Sequence, residues 1–159
     1  MKIYDRLFGS GPTGFVLSLI LLAMALFFEE ASGLPPLNLS YTSRKLFLIL
    51  TVIVGVAIIF WSVRSLPPEN RGRRLCKSGA FQYMRHPLYG AFLSCLNFGL
   101  AFYLNHSIYI IWALLLHPLW HFVIRREENL MRGVFPDEYD QYCESTGRFF
   151  PRLFSKDKF

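Results

Sequence analysis

Residues 79–89 read Gly-Ala-Phe-Gln-Tyr-Met-Arg-His-Pro-Leu-Tyr, and the organisation of the chain can be worked out from this stretch. It ends a basic, polar segment, and the residues after it are mostly apolar as far as position 124. The Arg85-His86 pair is followed by Pro87, and proline is well tolerated in the first turn of a helix. A charged pair at the entrance of an apolar segment is costly unless it is paired or used. We therefore expect Arg85 and His86 to have a functional role.

Apolar residues are concentrated in four long runs around this stretch. Each run is about long enough to cross the hydrocarbon core of a bilayer as a helix. The sequence therefore predicts an all-α integral membrane protein with four transmembrane helices, the last two forming an antiparallel hairpin. The first run is long for a signal peptide and ends in Phe-Phe-Glu-Glu, so we interpret it as a retained span. The four predicted spans are residues 11–28, 46–63, 88–104 and 107–124.

Length, composition and charge limit the classes of protein to which the chain could belong. At 159 residues the chain is one domain by length, and 53% of its residues are hydrophobic. The formal charge is +6, but the basic residues lie between the apolar runs, so we predict a membrane protein without a nucleic-acid partner. The three cysteines have no paired spacing, and His117 and His121 lack a zinc-protease pattern. We therefore predict no metal site, and the oligomeric state is left open.

The distribution of Lys and Arg predicts the orientation in the membrane. The segment between the second and third runs carries six of them, and the tail after the fourth run carries seven. The connection between the first two runs has only Arg44 and Lys45, and the Asn105-His106 turn has none. The positive-inside rule then places the basic loop and both termini in the cytoplasm.

Two polar clusters are expected to meet on that side. Arg85-His86 opens the third run, and Glu127-Glu128 follows the fourth, so an antiparallel hairpin brings them to the same end. A cavity there would contain acids, a histidine, arginines and aromatic walls. That mixture suits a small, zwitterionic, ring-bearing ligand, while the membrane gives access to a lipid-like second substrate.

The same residues carry a resemblance to a known family. Residues 79–89 resemble the Gly-x-Tyr-x-x-x-Arg-His-Pro-x-Tyr motif of the isoprenylcysteine carboxyl methyltransferase family, and the similarity extends from about Arg73 to Leu153. The related phospholipid N-methyltransferases share much of this pattern, so it indicates a fold and a cofactor better than a substrate. The C-terminal signature of the family is matched by Glu127-Glu128, Phe135-Pro-Asp-Glu-Tyr139, Tyr142 and Arg148-Phe-Phe-Pro151.

The resemblance implies that S-adenosylmethionine is bound on the cytoplasmic side, in a pocket that the C-terminal segment closes. We assign catalytic roles to Arg85, Arg126 and Glu128. The family's cofactor-binding residues would fall on Arg73, Arg74, Leu75, Cys76, Phe81, His86, Pro87, Leu88, Tyr89 and Glu127.

Three positions depart from the family pattern. Phe81 stands where the family usually has tyrosine, and Pro136 stands where it usually has glycine. Val123 occupies the position of the arginine that holds the substrate carboxylate in the prenylcysteine enzymes, so Arg125 or Arg126 would have to replace that arginine.

The expected activity is methylation of a lipophilic acceptor. Of the possible acceptors, the carboxylate of a prenylcysteine is the one we expect. A carboxylate is ionised at neutral pH and needs no base, whereas an ammonium acceptor must first lose a proton, for which Glu128 or His86 could serve. Partners are then a lipophilic or prenylated substrate and membrane lipid. The alternatives are a phosphatidylethanolamine-type N-methyltransferase, an NADPH-dependent reductase of the membrane sterol type, and a non-catalytic membrane scaffold.

Overall fold

The computed structural model describes residues 9–66 and 74–152, and every regular element in this part of the chain is a helix. The predicted all-α fold is therefore confirmed for these residues. A short 3-10 helix, Gly79–Gln82, precedes the apolar second half. The longer helices are α1 Gly11–Phe28, α2 Tyr41–Ser65, α3 Pro87–Leu104, α4 Ser107–Val123, α5 Arg125–Val134 and α6 Pro136–Ser145. Helix α3 is π-helical over Phe92–Leu96 and α-helical on either side.

Three helical stretches in the described residues are long and apolar enough to cross a membrane: α2, α3 and the continuous stretch Ser107–Val134. The last three predicted spans fall on them. Helix α1 is also apolar, but its crossing stays a prediction. In α2 the buried residues are Gly55 and Ser62, whereas Leu50 and Ile53 are about 60% exposed. A helix with apolar residues outward and small residues inward suits lipid surroundings.

Helix α1 packs closely on α4 through small residues. A Cβ added at Gly14 would lie 2.7 Å from the Trp120 ring, so only glycine permits this approach. The indole N–H of Trp120 donates to Ser18 Oγ at 2.9 Å, and that of Trp112 donates to the Ser18 carbonyl at 3.2 Å. Buried indole N–H groups are thus satisfied within the helix pair, as buried donors must be.

The connection between α1 and α2 lies against the turn between α3 and α4. Leu37 N–H donates to the Asn105 carbonyl at 3.0 Å, and Ser107 N–H donates to the Pro35 carbonyl at 3.2 Å. Asn105 has φ of +63°, a left-handed conformation that asparagine tolerates well. These bonds place the end of α1, the start of α2 and the α3–α4 turn at one end of the helices.

At the opposite end, the start of α3 is covered by residues 147–150. The backbone N–H groups of Arg85 and His86 donate to the carbonyls of Gly147 and Arg148, at 2.8 and 2.9 Å. A Cβ added at Gly90 would lie 2.5 Å from the Phe149 carbonyl oxygen, so the segment packs directly on α3. This end brings together the candidate functional residues.

Candidate active site

Glu128 is the centre of a buried ion cluster. Its side chain is 1% exposed, and Arg85 Nη2 lies 3.1 Å from its Oε1. Arg148 Nε donates to the same oxygen at 3.0 Å, while Arg148 Nη2 pairs with Oε2. His86 Nε2 lies 3.5 Å from Oε1 and, within the described residues, makes no hydrogen bond. The carboxylate of α5 therefore joins the residues just before α3 to the segment 147–150.

Arg85 extends this cluster to the end of α6. Its Nη1 donates to the Cys143 carbonyl at 3.2 Å and also bonds the Thr146 carbonyl. A guanidinium shared between a buried carboxylate and two carbonyls fixes the position of a backbone segment. The catalytic roles predicted for Arg85 and Glu128 stay predictions, and these contacts favour a positioning role for both.

Glu127, one residue earlier, has different surroundings. Its side chain is 27% exposed. Its Oε2 accepts from the Ser10 N–H at 3.1 Å and from the Tyr89 hydroxyl at 3.3 Å. His86 Nδ1 is 3.8 Å from Oε1, and the His86 and Tyr89 rings stack with centroids 5.7 Å apart. The expected meeting of the two polar clusters is thus present, with His86 between the two glutamates.

A cavity of about 640 Å³ opens beside Glu127. Its walls come from the start of α1 and from the α4–α5 junction. Apolar groups such as Leu17 and Phe122 line part of it, and Arg125 and Arg126 line the rest. Its volume lies within the roughly 300–1,000 Å³ usual for small-molecule sites. The other lining residues are Gly9, Ser10, Thr13, Val123, Asn129 and Leu130.

Three predicted cofactor residues lie elsewhere. Arg74, Leu75 and Cys76 line a cavity of about 580 Å³ at the end of α2, together with Arg64 and Lys77. Arg73 lies outside the described residues. This second cavity shares no lining residue with the first, so the described structure does not join the two halves of the predicted cofactor set.

The remaining predicted residues lie around the start of α3. Pro87 is fully buried, and Leu88 is 37% exposed. The Phe81 carbonyl accepts from the Tyr142 hydroxyl, which links the motif to α6. Burial raises the pKa of the Tyr142 phenol above its ordinary value, so the hydroxyl stays a donor at neutral pH.

Sequence reasoning missed two contributors to this site. It placed Arg148 in a signature but gave it no role, and it left open whether the first span packs against the hairpin or only anchors it. The Gly9-Ser10-Gly11 triplet was a possible signal, because glycines permit close backbone approach.

His121, one of the two histidines of α4, contacts an arginine: its Nδ1 lies 2.7 Å from Arg148 Nη1. Among the described residues, no group of three or more His, Cys, Asp or Glu could hold a metal ion.

Comparison with known proteins bears on the same region. The sequence model of the family described as phospholipid methyltransferase matches residues 43–138, more than half of the chain. The nickel-cobalt-cadmium resistance protein NccN of Alcaligenes xylosoxydans xylosoxydans is 34% identical over 85 residues. That alignment covers 53% of this chain and 39% of NccN, so the chain spans about two fifths of this relative. No solved structure matches the chain.

Proposed function

This chain belongs to the phospholipid methyltransferase family, and from that premise we propose that it uses S-adenosylmethionine to methylate a lipophilic acceptor. The observation that carries the proposal is the position of Glu127. Its carboxylate lies between His86 and Tyr89 on one side and a cavity of about 640 Å³ on the other, at the polar end of apolar helices. A membrane methyltransferase needs such a place, where a polar cofactor meets a lipid-borne group.

The residues around this cavity fit the cofactor that we propose. S-adenosylmethionine has an ammonium group, a carboxylate, ribose hydroxyls and a flat purine. Glu127 would accept from the ammonium or a hydroxyl, and Arg125 would pair with the carboxylate. Leu17 and Phe122 give the apolar surface that a purine needs. When bound, the cofactor would supply an electrophilic methyl group on a sulfonium.

The other cofactor residues implied by the resemblance keep that role in the proposal. His86, Pro87, Leu88, Tyr89 and Phe81 would contribute from the α3 side of Glu127, opposite the cavity of about 640 Å³, whose lining does not include them. Arg73, Arg74, Leu75 and Cys76 would contribute from the segment before the motif. The support for the α3 group is its proximity to Glu127, whereas the support for the earlier group is the resemblance alone.

A carboxylate acceptor suits the site best, because it needs no general base and both glutamates are already engaged. Glu128 is held by Arg85 and Arg148, and Glu127 already accepts two hydrogen bonds. Methyl transfer to a carboxylate requires no proton removal, so the chain only has to orient both reactants and exclude water. Opposite charges would disappear as the methyl group transfers, which a dry site favours. We therefore place carboxyl methylation of an isoprenylcysteine-like substrate first, with Arg126 beside the acceptor.

The family description favours a second acceptor, the amine of a phosphatidylethanolamine-type lipid. An ammonium must lose its proton before it can accept a methyl group. Glu127 is assigned to the cofactor and Glu128 is paired with two arginines, so His86, whose Nε2 makes no hydrogen bond among the described residues, is the base we propose for that reaction. Val123 supports this alternative, because it lines the cavity where prenylcysteine enzymes are expected to have their carboxylate-binding arginine.

The proposed topology has four spans, with α3 and α4 as the hairpin. Both termini and the site would face the cytoplasm, because the basic segments flank the end at which the site lies. The contacts of the α1–α2 connection with the α3–α4 turn support this arrangement, since they place both connections at the opposite end.

Two measurements in sequence test the cofactor and then the acceptor. Calorimetry on detergent-purified protein should show binding of S-adenosylmethionine and none of NADPH; the reverse would favour a reductase, and no binding of either a scaffold. Labelled cofactor is then supplied with a farnesylcysteine analogue or with phosphatidylethanolamine vesicles. Base-labile label indicates a methyl ester, whereas an N-methyl group survives alkali. No labelling of either acceptor despite cofactor binding would overturn both acceptor assignments.

A further inference from the structure

The start of α1 contacts the proposed site although it lies outside the family match at residues 43–138. The backbone N–H of Ser10 donates to Glu127 Oε2 at 3.1 Å, across 117 positions of sequence. The Tyr89 hydroxyl reaches the same oxygen at 3.3 Å. One carboxylate oxygen of Glu127 is therefore occupied by donors from two different helical regions.

Gly9 determines how closely α1 approaches this carboxylate. Its φ is +54°, which glycine adopts at no steric cost. A Cβ added here would lie 2.7 Å from Glu127 Oε2 and 3.1 Å from the carboxyl carbon, and its three nearest neighbours all belong to Glu127. Any larger residue at position 9 must therefore displace the Glu127 side chain.

The second oxygen of Glu127 has a different environment. His86 Nδ1 lies 3.8 Å from this oxygen, Oε1, which is longer than a hydrogen bond. The side chain also lines the cavity of about 640 Å³, and Gly9 and Ser10 line it too. The fixed oxygen sets the orientation of the carboxylate, and the other oxygen keeps its capacity to accept from a ligand.

The position of α1 is itself fixed. Gly14 and Ser18 hold the helix against Trp120, through close contact and an indole hydrogen bond of 2.9 Å. The Gly9-Ser10 segment is thus supported by a packed helix, which is what an accurately placed binding group requires.

We propose that the Gly9-Ser10 segment is a positioning element that orients Glu127 for the cofactor, so that α1 is part of the active site. This inference rests on the proposed function, in which Glu127 holds the cofactor. The segment does not contact the reacting methyl group; it acts through the carboxylate, and Tyr89 completes the restraint.

The test compares two glycine variants. Gly9→Ala places a Cβ against Glu127, whereas the matched control, Gly33→Ala, introduces the same kind of backbone strain at φ +64° with no atom within 4 Å of the new Cβ. We expect Gly9→Ala to weaken S-adenosylmethionine binding about tenfold, the loss typical of a misplaced charged acceptor. Gly33→Ala should bind within twofold of the wild type. Equal affinity of Gly9→Ala and the wild type would overturn the inference.

A double-variant cycle separates positioning from general damage. The Glu127→Ala variant lacks the carboxyl atoms that the Cβ of Gly9→Ala would meet. In that background, Gly9→Ala should therefore change the cofactor affinity and the Tm no more than Gly33→Ala does. A further loss of affinity or stability there would show that Gly9 does not act through Glu127. If Gly9→Ala alone does not fold, recovery of folded protein in the double variant supports the inference, and continued misfolding contradicts it.

The outcomes for the inference and for the proposed function are distinct. If the wild type does not bind S-adenosylmethionine, the proposed function fails, and the same cycle is scored by Tm. A Tm loss from Gly9→Ala that disappears in the Glu127→Ala background would still establish the contact-dependent restraint. If the wild type binds the cofactor and the cycle shows no coupling, the function stands and the positioning role is refuted.

Discussion

Replacing Glu128 with Gln should destabilise the protein much more than the same change at Glu127. The charge at position 128 is 1% exposed and pairs with Arg85 and Arg148. Without it, two guanidinium groups remain in a poorly hydrated place, and removing one partner of a buried ion pair costs about 3–5 kcal/mol. At about 2–4 °C per kcal/mol for a protein of this size, the Tm should fall by about 6–20 °C.

Glu127→Gln should show the opposite pattern. Its side chain is 27% exposed, and an amide oxygen can still accept from Ser10 N–H or the Tyr89 hydroxyl. We expect a loss of about 1 kcal/mol or less in stability. The cofactor, however, loses a charge-assisted hydrogen bond worth about 1.5–3 kcal/mol, so the Kd for S-adenosylmethionine should rise about tenfold or more.

The assay measures Tm and S-adenosylmethionine affinity for both variants in the same detergent. Glu144→Gln is the matched control, because it removes a negative charge from an exposed residue of α6 and should change neither quantity. A Tm for Glu128→Gln within about 2 °C of the wild type would refute the reasoning about the ion cluster. Unchanged cofactor affinity in Glu127→Gln would remove the site assignment.

Three further predictions concern the supports of the site. Gly14→Val should cost about 1–3 kcal/mol, measured by thermal unfolding, because its side chain would meet the Trp120 ring; an unchanged Tm would contradict the packing of α1 on α4. Tyr142→Phe should cost about 1 kcal/mol by loss of its bond to the Phe81 carbonyl, and no loss would mean that water replaces it. Burial raises the pKa of the Cys143 thiol, so its iodoacetamide labelling, followed by mass spectrometry, should be slow at neutral pH and increase as pH rises through the shifted value; rapid labelling at neutral pH would contradict this.

The helical architecture could be predicted because it depends on properties that are local in sequence. In lipid there is no water to hydrogen-bond the backbone N–H and C=O groups of an apolar run of about 18 residues. These groups must therefore bond to one another, and a helix is the simplest structure in which they do. The second predicted span, residues 46–63, lies within the longer helix Tyr41–Ser65. The difference arises at the ends, where Ser40 caps the helix by accepting from Ser43 N–H, a signal that hydropathy does not register.

The proximity of the two polar clusters was predictable from topology, but their division of roles was not. Two adjacent glutamates look alike in sequence, yet neighbours on a helix point about 100° apart, since 3.6 residues make one turn. Glu128 points into the arginine pair and Glu127 towards the cavity. Which of them faces which neighbour depends on the rotation of α5, and that rotation is set by packing that a single sequence does not reveal.

The contribution of α1 shows why long-range polar contacts are hardest to predict. A backbone N–H has no sequence signature, because every residue except proline carries one. Ser10 reaches Glu127 only because Gly14 lets α1 lie against Trp120 and Gly9 leaves space for the carboxylate. Each glycine taken alone suggests flexibility, whereas together they allow the close approach that orients the carboxylate. If α1 could be displaced from Trp120 without loss of cofactor affinity, the restraint on Glu127 would have to come from Tyr89 alone.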